Sequence, residues 1–178
     1  MNQMRLKALA KINLGLDVLR RKEDGYHEVK MIMQTIHLHD QIHMKKIEED
    51  EIKIRTNLYY LPNNENNLAY KAALLLMEEF FISAHILIKI KKMIPVAAGM
   101  AGGSADAAAV LKGVNKLFNL HLTNEELKKR GVTLGADIPY CIDGGTALSE
   151  GIGEILSPLP PMPKCYILIA KPGINVST

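Results

Sequence analysis

Alternating apolar and polar positions mark the first third of the chain as β structure. Residues 4–9 and 12–19 are rich in apolar side chains and are separated by a charged step at Lys11. The sequence KEDGY that follows contains an Asp-Gly pair, which is typical of a turn that returns the chain. Alternation resumes over residues 29–44 and 51–57. The pattern therefore predicts mostly antiparallel strands in this part of the chain.

The middle of the chain changes to helical spacing. Residues 66–81 repeat apolar side chains at intervals of three and four, behind asparagines that suit an N-cap. A strand pattern over 85–92 separates this helix from a second apolar helical face over 107–118. Thr123 and Glu126 have the spacing of a capping box and predict the start of a third helix, which runs through Arg130.

The last third of the chain is predicted to consist of short strands. They lie around residues 146–151 and 154–159, and an apolar strand over 165–170 follows a proline-rich turn. Ser177 and Thr178 are good N-cap residues with no helix behind them. We therefore expect the sequence to be the front part of a longer protein.

Composition indicates an ordinary globular protein. Of the 178 residues, 48% are hydrophobic and 23% are charged, which favours one domain. The net charge of +3 is spread along the chain, so it favours small anionic ligands over a nucleic-acid surface. Cys141 and Cys165, without a leader pattern, suggest a reducing cytoplasm, and no apolar run approaches the roughly 20 residues that span a bilayer.

The stretch PVAAGMAGGSADAAAVL, residues 95–111, joins a predicted strand to a predicted helix through a glycine-rich loop. It matches neither a Walker A loop nor a dinucleotide-binding fingerprint. Gly99, Gly102 and Gly103 are expected to supply positive φ angles, and Ser104 to cap the helix. The residues alone leave two interpretations equal: a backbone cradle for phosphate, or small residues that let a helix pack tightly.

An aspartate in the sequence GADIP is the first candidate for chemistry. Gly135 frees the backbone before Asp137, and Pro139 prevents a helix from continuing. Asp137 is then either a general base for a hydroxyl or an Asx-type cap on the preceding helix, and the local sequence favours the cap. Lys11 interrupts an apolar strand, so a buried Lys11–Asp137 pair, structural or catalytic, would satisfy both charges.

Two groups of ring side chains have competing interpretations. Tyr26 and His27 follow the turn and have the chemistry to stack on and hydrogen-bond to a planar base, although a plain surface turn is the simpler interpretation. His37, His39 and His43 suggest a metal site, but their alternation with apolar residues favours a solvated strand face.

Three segments together resemble a known family. They are AKINLGLDVLRRKEDGYHE at 10–28, IPVAAGMAGGSADAAA at 94–109 and LGADIPYCIDGGTALSEGIGE at 134–154. In order and spacing they are similar to the GHMP kinases, named after galactose, homoserine, mevalonate and phosphomevalonate, and within them to kinases of a diphosphocytidyl conjugate of methylerythritol. The resemblance implies an α/β fold like domain 2 of ribosomal protein S5, in which a mostly antiparallel sheet is backed by helices. It implies an ATP-binding domain over 1–160, with 161–178 as a final strand and the start of a further, C-terminal domain.

The resemblance also implies a reaction and residues for it. Phosphoryl transfer would run from MgATP to the tertiary 2-hydroxyl of the conjugate. Asp137 would be the catalytic base and Lys11 its partner near the transferred phosphate. Asn13 would orient the sugar-alcohol part, while Tyr26 would stack on the cytosine and His27 hydrogen-bond to it.

The same resemblance implies how the nucleotide is held, with Asn67 and Lys92 near the adenine. The sequence names no acidic ligand for Mg²⁺, although Ser104 and Asp106 are candidates. Members of the family often have a glycine at the position of Ala101 and a serine at that of Ala105, so a second hydroxyl contact is lost here while backbone contacts remain. The implied phosphate loop consists of Pro95, Val96, Ala97, Ala98, Gly99, Met100, Ala101, Gly102, Gly103, Ser104 and Ala105.

The expected partner is a small molecule, a cytidine diphosphate conjugate of methylerythritol. Nucleic acid and membrane partners are not expected, and the protein is expected to be a monomer or weak homodimer. Three alternatives stay open: a related kinase for another small alcohol, a nucleotide-binding module without catalysis, and an RNA-binding domain of the same fold.

Overall fold

A single sheet with helices on one side forms the protein. The structure is a computed structural model that describes residues 1–21, 25, 27–83 and 85–171, so Tyr26, Ser177 and Thr178 lie outside the described residues. In this part the elements are β1 (Gln3–Arg21), β2 (His27–Lys46), β3 (Glu51–Thr56), α1 (Leu68–Glu79), β4 (His85–Lys91), α2 (Gly102–Leu117), α3 (Asn124–Gly131), α4 (Ile138–Asp143), β5 (Thr146–Glu150) and β6 (Ile155–Pro158).

The six described strands form one mixed sheet. Its order is β3-β4-β2-β5-β6, and β1 pairs with β2 outside this path. The β3–β4 pair is parallel, and the pairs of β2 with β1, β4 and β5 are antiparallel, as is β5 with β6. The prediction of a mostly antiparallel sheet backed by helices is confirmed.

Strand β1 is continuous where the sequence predicts two strands. The charged step at Lys11 is accommodated by an irregularity in the pairing with β2 between Leu9 and Lys11. Ala10 is 0% and Lys11 5% exposed, so two successive residues point into the protein. A regular strand would turn one of them outward, because side chains alternate between its faces. The bulge is therefore what directs the Lys11 side chain inward.

Helix α2 lies close to the sheet because its inner face is made of small side chains. Ala107 is 0% and Ala108 2% exposed, and a Cβ at Gly113 would overlap Met44 Sδ of β2. The tight-packing interpretation of this alanine-rich run is therefore confirmed. It does not exclude the phosphate cradle, since close approach to the sheet also fixes the start of α2 beside the strands.

The start of α3 agrees with the sequence prediction, and the start of α4 does not. The Thr123 side chain accepts a hydrogen bond from Glu126 N, and the Glu126 carboxylate accepts one from Thr123 N, so the capping box is confirmed. Helix α4 is unexpected, because the sequence prediction treats Pro139 as a helix breaker. Pro139 stands instead in the first turn of α4. Backbone N–H groups in a first turn make no hydrogen bond within the helix, so the missing N–H of proline costs nothing there.

The predicted strand over 165–170 is not formed. These residues carry no regular secondary structure, and Tyr166 and Leu168 are almost fully exposed. The proline-rich run 158–163 ends β6 and offers few N–H donors, so the chain leaves the sheet edge before this segment. An apolar sequence without a pairing edge has no reason to become a strand.

Among the described residues, no helix is long and apolar enough to cross a bilayer.

Candidate active site

An open cavity of about 680 Å³ lies where β1, the glycine-rich loop and the first residues of α2 and α4 meet. Most residues that the resemblance implicates line it: Lys11, Asn13, Asn67, Lys92, Asp137 and residues 95–104. Ala105 is buried behind this wall in α2, with 2% of its surface exposed. The structure therefore brings together segments that are more than 100 residues apart in sequence.

The glycine-rich loop uses left-handed backbone at positions that differ from the prediction. Gly99 has a φ of 67°, but Gly102 and Gly103 begin α2 with ordinary helical backbone. Ala97 and Ala101 take the other positive φ values, 51° and 53°. Left-handed backbone costs an L-residue roughly 1–2 kcal/mol, so two alanines of the loop are strained.

The start of α2 is open to a ligand. Ala101 is the N-cap residue and cannot accept from the first-turn amides with its side chain, so the prediction that Ser104 caps the helix is wrong. Ser104 lies inside the first turn. A Cβ at Gly102 would stand 3.2 Å from Ile94 Cγ2 and 3.3 Å from Lys92 Nζ, so a side chain there would crowd both residues. Amides without a capping side chain, at the positive end of a helix dipole, form an anion site.

The strain at Ala101 gives a prediction of stability. We expect Ala101→Gly to raise the free energy of unfolding by about 1 kcal/mol, because relief of left-handed strain exceeds the added flexibility of the unfolded chain. Chemical denaturation measures the change. The control Ala98→Gly, at a loop residue without positive φ, should lower stability instead. A loss of stability in both variants would contradict the strain.

Lys11 and Asp137 face each other across the cavity floor. Lys11 Nζ lies 3.9 Å from Asp137 Oδ2 and donates to Asn13 Oδ1 at 3.1 Å. The side chain of Lys11 is 6% exposed and that of Asp137 33%. Lys11 is therefore held inside the protein, while the Asp137 carboxylate keeps contact with the open space of the cavity. The predicted pair of these two residues is confirmed as a contact, and its role stays a prediction.

Asp137 is not the helix cap that its local sequence favours. It stands at the start of α4, after the α3 region, and its side chain makes no capping hydrogen bond within the described chain. Cys141 follows one turn later, where burial first and the negative charge of Asp137 second raise the pKa of its thiol to about 12. The thiol is therefore neutral near pH 7. The Asp137 carboxylate is the charged group beside Lys11, and its oxygens are not engaged in a helix cap.

Lys92 is surrounded by two carboxylates behind the loop. Its Nζ lies 2.5 Å from Asp40 Oδ2 and 2.7 Å from Asp106 Oδ2, and its side chain is 5% exposed. Burial lowers the pKa of Lys92, but the two carboxylates outweigh burial and raise it. Two of its three protons are thus committed, and the contact with adenine that the resemblance implies stays a prediction.

The charged form of Asp106 is disfavoured by burial. Burial raises the pKa of its carboxyl group to about 7, against the opposing charge of Lys92. Its Oδ1 is buried and has no hydrogen-bond partner among the described residues. An ionised oxygen without a partner in the interior is costly, which explains the direction of the pKa shift.

Asp40 is a site residue that sequence reasoning missed. It is 0% exposed, and its Oδ1 accepts from Met93 N at 2.5 Å and Ile94 N at 2.8 Å. The signal was present in HLHDQIHM, where Asp40 takes the place of an apolar residue on the same strand face as Ile42 and Met44. A charge on an apolar face needs a partner, which is the reasoning that singled out Lys11.

Asn67 lines the cavity, whereas His27 lies outside its lining. Asn67 caps α1, since its Oδ1 accepts from Ala69 N at 2.9 Å, so the predicted asparagine cap is confirmed. His27 is exposed at the start of β2 and does not line the cavity. It shares a strand face with the lining residues Val29 and Met31, and lies about 7 Å beyond Val29 along the strand.

Of the three strand histidines, His37 is exposed, and His39 and His43 are half-buried. The His39 ring is hydrogen-bonded to the His37 carbonyl oxygen. The described residues contain no group of three or more His, Cys, Asp or Glu side chains placed to hold a metal ion. The solvated-face interpretation agrees with the exposure of His37.

Comparison with known proteins agrees with this geometry. The chain is 58% identical over all of its 178 residues to the 4-diphosphocytidyl-2-C-methyl-D-erythritol kinase of Lachnospira eligens, covering 62% of that protein. It is 54% identical to the kinase of the same name from Clostridium perfringens over 98% of this chain and 61% of that protein. The chain therefore spans about three fifths of the length of these curated relatives.

Solved structures show the same fold. A 4-(cytidine 5'-diphospho)-2C-methyl-D-erythritol kinase superposes with a TM-score of 0.74 at 36% identity, covering 88% of this chain and 55% of that one. The mevalonate kinase of Methanococcus jannaschii has a TM-score of 0.68 at 19% identity, covering 89% of this chain and 56% of that one, and shows the fold alone. Residues 67–145 match the family model described as GHMP kinases N terminal domain. Over its whole length the chain is therefore similar to kinases of this name, and its middle part matches the N-terminal domain of the GHMP kinases.

Proposed function

We propose that this chain acts in ATP-dependent phosphorylation of 4-diphosphocytidyl-2-C-methyl-D-erythritol on its 2-hydroxyl group. The observation that carries the proposal is the ion pair of Lys11 and Asp137, with 3.9 Å between Nζ and Oδ2, in one cavity with the glycine-rich loop. The names of relatives at 54–58% identity support the choice of substrate.

The nucleotide occupies the loop side of the cavity in this proposal. The amides of Gly102, Gly103 and Ser104 at the start of α2 hold the phosphates, since no side chain caps them. Leu61, Pro62 and other apolar lining residues between Asn67 and Lys92 offer a slot for the adenine.

The residues fit a magnesium ion that arrives with the nucleotide better than a resident one. Ser104 lines the cavity with a hydroxyl group, whereas Oδ2 of Asp106 is bonded to Lys92 and its Oδ1 is buried. When bound, Mg²⁺ would neutralise phosphate charge and orient the phosphates. Ser104 is then the protein group that would contact it.

Asp137 and Lys11 carry the chemistry. A tertiary hydroxyl is hindered and weakly acidic, so positioning and electrostatics must supply most of the rate. Asp137 takes the hydroxyl proton, while the oxygen bonds to the γ-phosphorus and the bond to the β-phosphate oxygen breaks. Lys11 pairs with the carboxylate and balances charge on the moving phosphoryl group. Asn13, which is bonded to Lys11, orients the sugar alcohol.

The cytidyl group is proposed to lie on the hairpin of β1 and β2. His27 continues the strand face of Val29 and Met31 beyond the cavity, which is where an extended substrate would reach. Tyr26 completes this subsite in the proposal, although it lies outside the described residues. The base is held by stacking and a hydrogen bond, independently of the phosphate loop.

This separation of subsites predicts a selective defect. His27→Ala should raise the KM for the cytidyl substrate about tenfold, through loss of one hydrogen bond, and leave the KM for ATP unchanged. Steady-state kinetics with each substrate varied in turn measure both constants. His37→Ala, at another exposed histidine of β2, is the control. An unchanged KM for the cytidyl substrate would refute the assignment.

The division of the chain is part of the proposal. Residues 1–160 form the ATP-binding domain, and the segment from residue 161 belongs to a further domain. Two features support this division: the apolar side chains of Tyr166 and Leu168 are exposed, and the relatives are longer than this chain. The protein is proposed to work as a monomer or weak homodimer on a small-molecule substrate.

Release of ADP from MgATP, with and without the cytidyl substrate, tests the function. It should be measured on the 178-residue chain and on a chimaera in which this chain replaces the matching part of the Lachnospira eligens relative. Substrate-dependent release by either protein supports the proposal. A folded chimaera without such release, or release that prefers mevalonate or homoserine, overturns it.

A further inference from the structure

The glycine-rich loop is attached to the sheet at three points. At its entry, Asp40 Oδ1 accepts hydrogen bonds from the backbone N–H groups of Met93 and Ile94. In its middle, the carbonyl oxygen of Met100 accepts from the Lys11 N–H at 3.2 Å. At its exit, Lys92 reaches Asp106 in the second turn of α2. The first and third points share the Lys92 ammonium group, which joins Asp40 to Asp106.

We propose that Asp40, Lys92 and Asp106 form a positioning cluster that holds both ends of the loop at the separation in which it receives the phosphates of a nucleoside triphosphate. The inference rests on the proposed function and adds residues to it. In this proposal the two carboxylates and the Lys92 ammonium group do not contact the phosphates. The cluster acts through the backbone at Ile94 and through the first turn of α2.

The geometry explains why a charged cluster stands here. The start of α2 presses on it, because a Cβ at Gly102 would meet both Ile94 and the Lys92 ammonium. A chain of hydrogen-bonded charges in the interior has one favoured arrangement, whereas apolar contacts tolerate sliding. Anion binding by backbone amides depends on their spacing, so small displacements of the loop ends weaken it.

A single substitution can remove the salt bridge between Lys92 and Asp106 of α2 while the salt bridge between Lys92 and Asp40 remains. Asp106→Ala removes the acceptor on α2 but leaves the pair of Lys92 with Asp40 intact. Asp106→Asn keeps an acceptor oxygen of the same shape, so it should retain the hydrogen bond from Lys92. Lys116→Ala, at an exposed position in the last turn of α2, is the matched control.

Two measurements on the 178-residue chain decide the proposal. Isothermal titration with MgATP and with the cytidyl substrate should show nucleotide binding about tenfold weaker in Asp106→Ala, with affinity for the cytidyl substrate unchanged. Asp106→Asn and Lys116→Ala should stay within about threefold of the parent chain. Hydrogen exchange without ligand should show faster exchange of amides 96–104 in Asp106→Ala, with the amides of β4 and α1 unchanged.

The outcomes separate this inference from the proposed function. Unchanged nucleotide affinity and unchanged exchange in Asp106→Ala would overturn the positioning role. An equal loss of affinity for both ligands, with faster exchange throughout, would also overturn it, since the cluster would then only stabilise the fold. If the parent chain binds no MgATP, the same titrations are made on the chimaera that carries it. The exchange measurement on the 178-residue chain then decides independently whether the cluster holds the loop.

Discussion

Asp137→Asn is expected to lower substrate-dependent phosphoryl transfer by about 10²–10⁴-fold, with the affinity for MgATP nearly unchanged. Asparagine has nearly the same shape but cannot accept the hydroxyl proton. Asp137 makes no capping hydrogen bond and is one third exposed, so its carboxylate serves no evident structural purpose beyond the contact with Lys11. Lys11 keeps its hydrogen bond to Asn13 in the variant.

Initial rates and titrations on the protein that turns over in the functional test provide the measurement. Asp143→Asn is the control, because Asp143 ends the same helix, pairs with Lys128 on the surface and lies outside the cavity lining. A near-normal rate in Asp137→Asn would remove this residue from the role of base. A matching loss of MgATP affinity would instead indicate that the carboxylate shapes the nucleotide site.

Asp40→Ala is expected to lower the free energy of unfolding by about 3–5 kcal/mol, the range seen when one partner of a buried charge pair is removed. Asp40 is fully buried and satisfies two backbone N–H groups as well as Lys92. The variant leaves these donors in the interior without their acceptor, and the added cavity is a further cost.

Denaturant-induced unfolding followed by circular dichroism measures this loss. Glu48→Ala, at an exposed acidic residue just beyond β2, should change stability by no more than about 0.5 kcal/mol. A loss below 1 kcal/mol in Asp40→Ala would show that water or Asp106 replaces the missing acceptor. The effect would then contradict the buried network as a source of stability.

Local signals decided the correct parts of the fold prediction. The capping box at Thr123 and the asparagine cap at Asn67 act within three residues, so sequence alone identifies them. Alternation likewise locates strands, because it reflects which face of a strand is buried. These features depend on residues that are close in sequence, so they can be predicted without the tertiary structure.

The errors have a common origin in tertiary context. The sequence predicts that Pro139 breaks a helix, yet α4 begins at Ile138, which is buried against Leu111 and Gly131. Residues 165–170 have a strand composition, but they pair with no described strand. Ala101 adopts a backbone that composition disfavours, since the contacts of α2 with Ile94 and Lys92 set where the helix starts.

The site divides in the same way. Motif spacing was enough to nominate Lys11, Asn13, Asp137 and the glycine-rich loop, because the resemblance assigns residues one by one. It did not find Asp40, whose partners Met93 and Ile94 lie more than 50 residues away.

The sequence by itself indicated the resemblance to the GHMP kinases, most of the strands and helices, and most of the residues that could carry chemistry. The tertiary structure alone decided that the bulge beside Ala10 turns Lys11 inward, that the Asp137 carboxylate is left uncapped 3.9 Å from it, and that Lys92 is shared between two carboxylates. The reason is physical: propensity and capping act over a few residues, whereas burial and charge pairing depend on which distant segments the fold brings into contact.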